Sequence, residues 1–398
     1  MAETSIEWAD RSWNFLAGCK LVSPGCTNCY AMRQAARIER MNPALEHYRG
    51  LTKPSKAGPV WTGKIGIAEH KLLEPLSVRK PKKWFVNSMS DLFHEDVPDE
   101  VIDKAFAIMA LCPQHTFQVL TKRSARMREY LANPRRPYLI ARRCLDVVIA
   151  DPRGYGHLME SKAWPVASEG DPEDPSDVTL KTWPLPNVWL GVSVEDQKRA
   201  DERIPDLLAT PAAVRWISAE PLLGPVKLTD IRGTTCLAAR GSCCGDRPYV
   251  DALRGIQACQ RAGAYGYPDK YAMPRGLDWV VVGGESGPGA RPIHPDWARS
   301  IRDQCASAGV PFFFKQWGEW LAGEANYGQF DERPMNAYRR CDDHSYVWPN
   351  SSRVENFGTH ADPLSGYFTA RRVGKACAGR LLDGREHNEF PSPTGRAE

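Results

Sequence analysis

Three cysteines, Cys19, Cys26 and Cys29, fall within WNFLAGCKLVSPGCTNCYAM (13–32) at the spacing C-x6-C-x2-C, directly after an aromatic and aliphatic run that reads as a strand. In a large chain without an export signal, thiols held this close serve metal or redox chemistry more often than disulfides. Structural zinc wants four protein ligands, and the next Cys or His residues, His47 and His70, are well downstream. A distant ligand would complete such a site. A cubane iron–sulfur cluster needs only three thiolates and then keeps one iron open to a substrate or cofactor, so three cysteines fit a reactive cluster better than a structural one. Gly18 and Gly25 allow the tight backbone that wrapping a cluster requires, and Pro24 restrains the loop.

The elements that must position these cysteines recur along the chain. Seven β-branched and aromatic runs read as strands: 12–18, 83–90, 116–121, 187–194, 213–220, 277–285 and 311–317. Helix patterns lie between them, among them PDEVIDKAFAIMALC, SARMREYLAN, DQKRADERIPDLLA and PDWARSIRDQCASAG, the last closed by Gly309. Strand then helix, repeated, means a parallel sheet. The phosphate-binding glycine fingerprint of a doubly wound sheet is missing after the first strand, which favours a partial (β/α) barrel of six or seven strands. Polar residues recur at the strand ends, including Ser90 and Asp91, Lys122, Ser193 and Glu285, and in such a barrel these ends share the rim that carries the active site. For each residue alone, a helix cap or turn is the plainer reading. The expected organisation is a barrel over 1–229 and 277–325, a cysteine-rich insertion over 230–276 and an irregular C-terminal extension over 326–398. Residues 151–186 read as a long loop.

The cysteine loop, ending in CTNCYAM, resembles that of the radical S-adenosylmethionine superfamily, C-x3-C-x2-C. It departs by three extra residues between the first two cysteines and by Asn28 before the last. NSMSDLF, VLTKR and WLGVSVED resemble in order the strands of spore photoproduct lyase and its relatives, where a serine, a lysine and a serine contact the cofactor. These match Ser90, Lys122 and Ser193. Nearly the whole chain also resembles a phage-associated three-cysteine-motif family, through NSMSDLFHEDVP, ISAEPLLGP, VVGGESGPGARP, FFFKQWGEW and VGKACAGRLLDGRE. The resemblance implies a [4Fe-4S] cluster on Cys19, Cys26 and Cys29, bound S-adenosylmethionine and its reductive cleavage to a 5′-deoxyadenosyl radical. It further implies an electron donor such as a flavodoxin or ferredoxin, and a bacterial or phage-infected host cell in which a protein encoded nearby is a candidate partner. Lys122 suits the methionyl carboxylate, and Ser90, Asp91 or Glu285 the ammonium; as a basic turn, Lys122 would do neither. Spore photoproduct lyase also carries a hydrogen-donating cysteine two residues before the cofactor-binding serine, and here that position is Ser88.

Four further cysteines, Cys236, Cys243, Cys244 and Cys259, reach the ligand count for zinc or a second cluster but lack paired C-x2-C knuckles, so free thiols are the alternative. Residues 121–143 hold eight Lys or Arg. Either Arg123, Arg126, Arg135 and Arg136 contact nucleic acid, with Tyr130 and Tyr138 stacking on bases, or the stretch is a solvated helix face. GGESGPGARP reads as a phosphate or adenosine cradle or as a plain glycine turn. His94 is the one histidine near the expected rim. No Ser-His-Asp order or H-E-x-x-H helix supports a hydrolase.

The 398 residues are 42% hydrophobic with 13 Trp, enough for a sizeable core without disulfides, and the net charge of +4 permits a nucleic acid partner without demanding one. No run approaches the roughly 18 apolar residues of a membrane span, so a cytoplasmic protein is expected. The leading expectation is a radical S-adenosylmethionine-like enzyme acting on a nucleic acid or nucleotide. The alternative is a non-catalytic nucleic-acid-binding protein whose cysteines hold structural zinc or a structural cluster.

Overall fold

The computed structural model describes residues 4, 6–168, 177–232, 249–258, 270–272, 275–323, 344–347, 354–356 and 368–392. The seven expected strands lie side by side in chain order: β1 (Arg11–Trp13), β2 (Lys83–Val86), β3 (Thr116–Thr121), β4 (Val188–Ser193), β5 (Val214–Ala219), β6 (Trp279–Gly283) and β7 (Phe312–Gln316). Every adjacent pair is parallel, and the sheet curls into a half-barrel flanked by helices. β4, β5 and β6 are buried at every residue, which is why they read as near-continuous apolar runs.

The longer helices are α1 (Tyr30–Met41), α2 (Asp99–Leu111), α3 (Ser124–Ala132), α4 (Arg136–Ala150), α5 (Gln197–Leu208) and α6 (Pro295–Ala308). Capping follows from the residue types. Asp196 accepts the Arg199 backbone N–H to open α5, and Gly309, at φ 62°, closes α6 in the left-handed conformation. α1 stands where no helix is expected from the sequence pattern, and α4 carries the helical reading of 121–143 on to residue 150. α1 begins one residue after Cys29, and α4 starts with Pro137 in its first turn, where a missing N–H costs no hydrogen bond.

The two faces of the sheet have different fillings. Val119, Val192, Ile217 and Val280 face outward onto Phe106, Ile140, Ile204 and Ile301 of the helices. The concave face is plugged by Trp8, Trp189, Trp216, Trp279 and Phe313. Trp216 sits 5.3 Å from both Trp8 and Trp279, centroid to centroid. A fully buried tryptophan removes 150–250 Å² from water, about 4–6 kcal/mol of transfer free energy at 25 cal/mol/Å², so this plug anchors the half-barrel's interior.

Two segments differ from expectation. The run 12–18 splits: Asn87 donates its backbone N–H to the Trp13 carbonyl (2.9 Å) and takes the Leu16 N–H on Oδ1 (3.2 Å), so the chain turns away. Leu16–Ala17 then pairs antiparallel with Gly66–Ile67. Within 151–186, Val166–Ser168 and Val178–Leu180 form an antiparallel pair. Beyond β7, among the described residues, Trp320–Gly323, Phe368–Arg372, His344–Val347 and Val354–Asn356 make a four-stranded antiparallel sheet. The chain then returns to β7, whose Phe312 and Phe314 N–H groups donate to the Glu389 carboxylate and the His387 carbonyl, while Phe390 stacks on Trp279. The open edge of the half-barrel is thereby covered. Tyr249–Asp251, Ile256–Ala258 and Lys270–Ala272 form a small antiparallel sheet in the insertion. Among the described residues no helix is long and apolar enough to cross a membrane.

Candidate functional site

Strand alternation builds the site in layers. On four of the strands a polar residue comes two positions beyond an inward apolar one, toward the carboxyl end: Phe85 then Asn87, Leu120 then Lys122, Trp216 then Ser218, Phe313 then Lys315. Asn87, Lys122, Ser193, Ser218 and Lys315 line one cavity of about 240 Å³ above the tryptophan plug. Cys19, Cys26 and Cys29 form part of the same wall. The expected rim therefore exists, and the cysteine loop belongs to it.

The loop is tied from several sides. Gly18 sits at φ 96°, where a Cβ would collide with the Lys64 carbonyl, and its N–H donates to the Met89 carbonyl at 3.1 Å. At Gly25 a Cβ would overlap the Glu195 side chain. The Ser23 hydroxyl donates to Glu195 Oε1 at 2.5 Å, and Arg291 Nη2 to the Pro24 carbonyl at 3.0 Å. Asn28 Nδ2 donates to both Glu285 Oε2 (3.0 Å) and the Gly289 carbonyl (2.7 Å), and the Tyr30 hydroxyl donates to the Ser88 carbonyl (2.8 Å). Arg123 Nη1 donates to Cys19 Sγ at 3.6 Å.

All three cysteines are free. Burial, reinforced by Asp91 and opposed by Arg123, pushes the Cys19 thiol up to about 12, and burial also raises Cys29. Both are neutral thiols on their own, so a metal that takes them displaces protons. Among the described residues no three His, Cys, Asp or Glu side chains converge as the ligands of a single ion do. A cubane places its thiolates on separate irons and needs no such convergence. The donor set fits one: three thiols share a wall with a lysine, and the Ser90 hydroxyl beside them is buried with no partner.

The expected cofactor residues line the cavity together but are not equally available. Lys122 Nζ donates to Ser193 Oγ at 3.0 Å and lies 3.9 Å from Glu195 Oε1. Burial works against its charge, yet Glu195 holds the ammonium above its ordinary value. Ser90, Lys122 and Ser193 thus face the cysteines with capacity to spare. Asp91 has none: Oδ1 accepts from Thr121 Oγ1 (2.7 Å) and Phe93 N (3.0 Å), Oδ2 from Lys122 N (2.9 Å) and Arg123 Nη1 (3.1 Å). Glu285 is likewise saturated by Arg291, through its backbone N–H, Nε and Nη2, and by Asn28. Both carboxylates hold the rim together, so neither serves as an acceptor for a ligand ammonium.

Other expectations resolve similarly. GGESGPGARP spends its groups on the protein: the Gly287 N–H donates to Glu319 Oε1 and Arg291 clasps the cysteine loop, so it is a clamp and not a phosphate cradle. Arg123 is buried against Asp91 and Glu95, Arg126 caps the carbonyls of His94 and Val97 and pairs with Asp99, and Arg136 is buried against Asp103 and Asp99. These three arginines are structural, because a guanidinium already neutralised by carboxylates has little left for phosphate. Tyr130, buried and donating to Asp103, stacks on no base. Arg135 alone of the four is exposed. His94 accepts the Asp96 N–H on Nδ1 and lies outside the cavity wall; burial keeps it neutral. Cys236, Cys243, Cys244 and Cys259 lie outside the described residues.

Two residues at the rim carry weight that spacing does not reveal. Glu195, fully buried, joins Ser23 of the loop to Arg203 of α5 (2.8 Å). Glu220 takes Lys315 Nζ at 2.6 Å across the cavity wall. Their one signal in the sequence is their place at strand ends, shared with many caps. No curated protein and no solved structure matches the chain. A family profile does, over residues 3–391, and the chain therefore belongs to the family described as a protein of unknown function, DUF5131.

Proposed function

We propose that this chain is a radical S-adenosylmethionine-type iron–sulfur enzyme acting on a nucleotide or nucleic acid. One observation carries the reading: three cysteines without disulfides and the touching pair Lys122 and Ser193 line one cavity at the carboxyl rim of a parallel half-barrel. Cys19, Cys26 and Cys29 would hold a [4Fe-4S] cluster, with Lys122, Ser193 and Ser90 around S-adenosylmethionine. When bound, such a cluster supplies the electron that opens the cofactor's sulfonium to radical chemistry. The chain's own contribution is binding and enclosure. Lys122, kept charged by Glu195, offers a cation for a carboxylate; the Ser193 and Ser90 hydroxyls orient polar groups beside it; the tryptophan plug keeps water from entering below.

Anaerobic purification tests this directly. About four irons and matching sulfide per chain, with 5′-deoxyadenosine formed from S-adenosylmethionine under reduction, is the expected result. One zinc per chain and no colour would overturn it in favour of a structural metal site.

A further inference from the structure

The charge of this chain is concentrated beside the cavity. Residues 19–64 hold eight Lys or Arg against two Glu, a net +6, whereas the whole chain carries +4; everything else sums to −2. All eight of these basic residues are exposed. The arrangement on α1 is regular. Ala31, Met32 and Ala35 bury one side of the helix, while Tyr30, Arg33, Arg37 and Arg40 recur at spacings of three and four along the exposed side. Among the described residues no carboxylate pairs with Arg33, Arg37 or Arg40. Arg33 Nη2 reaches the Ala57 carbonyl (3.5 Å), which brings the turn carrying Lys53 and Lys56 alongside. The stripe starts at the cavity: Tyr30 lines it and is 53% exposed.

We infer that α1 and the adjoining turn form a track for single-stranded nucleic acid that leads a strand to the cavity mouth. The arginines follow the phosphates about one helical turn apart, and Tyr30 offers a ring on which a base can stack as it enters. This deepens the proposed function, because it makes the substrate a polynucleotide and not a free nucleotide. An acidic protein would also be attracted by the charge, but a narrow stripe ending in an exposed aromatic ring at a cavity suits a flexible strand better than a flat protein face. The contrast with 121–143 is physical: there Arg123, Arg126, Arg128, Arg136 and Arg143 are paired with carboxylates within the fold, whereas Arg33, Arg37 and Arg40 are not.

The test is fluorescence anisotropy with a labelled 15-nucleotide single strand over a salt series. It uses the full chain and, in parallel, the Cys19→Ala/Cys26→Ala/Cys29→Ala chain, so that failure of the iron–sulfur reading and failure of this one are separable. Arg33→Glu/Arg37→Glu/Arg40→Glu should weaken binding at least tenfold and lower the slope of log K against log salt by about 2, three contacts at about 0.7 each. Lys53→Glu/Lys56→Glu should weaken it in the same direction, and Arg135→Glu/Arg142→Glu/Arg143→Glu should leave it unchanged. An unchanged salt slope in the α1 variant, no binding of single strands by the parent chain, or retention of an acidic flavodoxin by this face with no nucleic acid bound would each overturn the inference.

Discussion

Glu195→Gln separates the charge of the rim's central carboxylate from its shape. Glu195 is fully buried, with Oε1 taking the Ser23 hydroxyl and Oε2 taking Arg203 Nη1, while Lys122 Nζ stands at 3.9 Å. Glutamine fills the same space and can keep both hydrogen bonds, because the Ser23 hydroxyl can turn to accept from its NH2 while its oxygen accepts from Arg203. What it removes is the negative charge between two cations. Arg203 then has no carboxylate beside it and keeps only neutral acceptors, the glutamine oxygen and the Ser193 carbonyl (2.8 Å), with its side chain 5% exposed. Breaking a buried pair by removing one charge costs roughly 3–5 kcal/mol, and the retained hydrogen bonds place Glu195→Gln at the lower end, about 3 kcal/mol. Glu195→Ala, which also frees Ser23 and opens a space against Gly25, belongs at the upper end.

Urea unfolding followed by tryptophan fluorescence reads the loss, and the rate of thiol labelling at the cysteine loop reads the release of Ser23. The pH dependence has a fixed sign. Burial alone would raise the Glu195 carboxyl, but Lys122 and Arg203 hold it below its ordinary 4.5. A depressed carboxyl contributes stability that is complete above the unfolded value and disappears as pH falls through the folded value. The parent should therefore lose its advantage over Glu195→Gln below about pH 4.5 and keep it at neutral pH. If both variants unfold within 0.5 kcal/mol of the parent at pH 7, about the scatter of surface substitutions, and label at the parent's rate, Glu195 is not what ties the loop to the barrel.

Cys19→Ala, Cys26→Ala and Cys29→Ala should each abolish iron incorporation, while Cys112→Ala, whose thiol is buried in the helical core, should not; equal iron in all four ends the case for the loop. Lys122→Met and Ser193→Ala should weaken S-adenosylmethionine binding with iron content intact, Lys122→Met by roughly 1.5–3 kcal/mol for a charge-assisted bond, and calorimetry showing parental affinity in both would remove them from the site. Given reductant and S-adenosylmethionine, the protein should form 5′-deoxyadenosine without repairing a thymine photodimer in DNA, because Ser88 stands at the hydrogen donor's position and its hydroxyl, bound to Asn14 Oδ1 at 3.1 Å, has far too strong an O–H bond; repair above trace yield would refute this.

What the sequence made legible was local. Seven apolar runs became seven strands within a few residues, because a strand buried on both faces announces itself by composition. The inward polar layer was legible too, since Lys122 and Ser193 sit where strand period and strand end coincide. Partnership was not. Asp91 and Glu285 have the same residue type and placement as a ligand-binding carboxylate, and only Arg123 and Arg291, the latter six residues on in a glycine turn, show that they are saturated. The density of basic residues in 121–143 misleads for the same reason: their counter-charges, Asp91, Glu95, Asp99 and Asp103, come from the preceding strand end and α2.

The geometry of the cavity wall depends on the whole half-barrel. Glu195 follows β4 and holds Ser23; Glu285 follows β6 and holds Asn28; Arg123 follows β3 and reaches Cys19. Each of the three cysteines is thus steadied by, or lies next to a residue steadied by, a different strand end, so a shift between any two strands moves one thiol relative to the others. A loop of twelve residues, 18–29, with two essential glycines could not hold three sulfurs in register by itself, because chain entropy would spread them. Three separate strand-end contacts leave the loop one arrangement, and the covered edge at β7 keeps those strands from sliding.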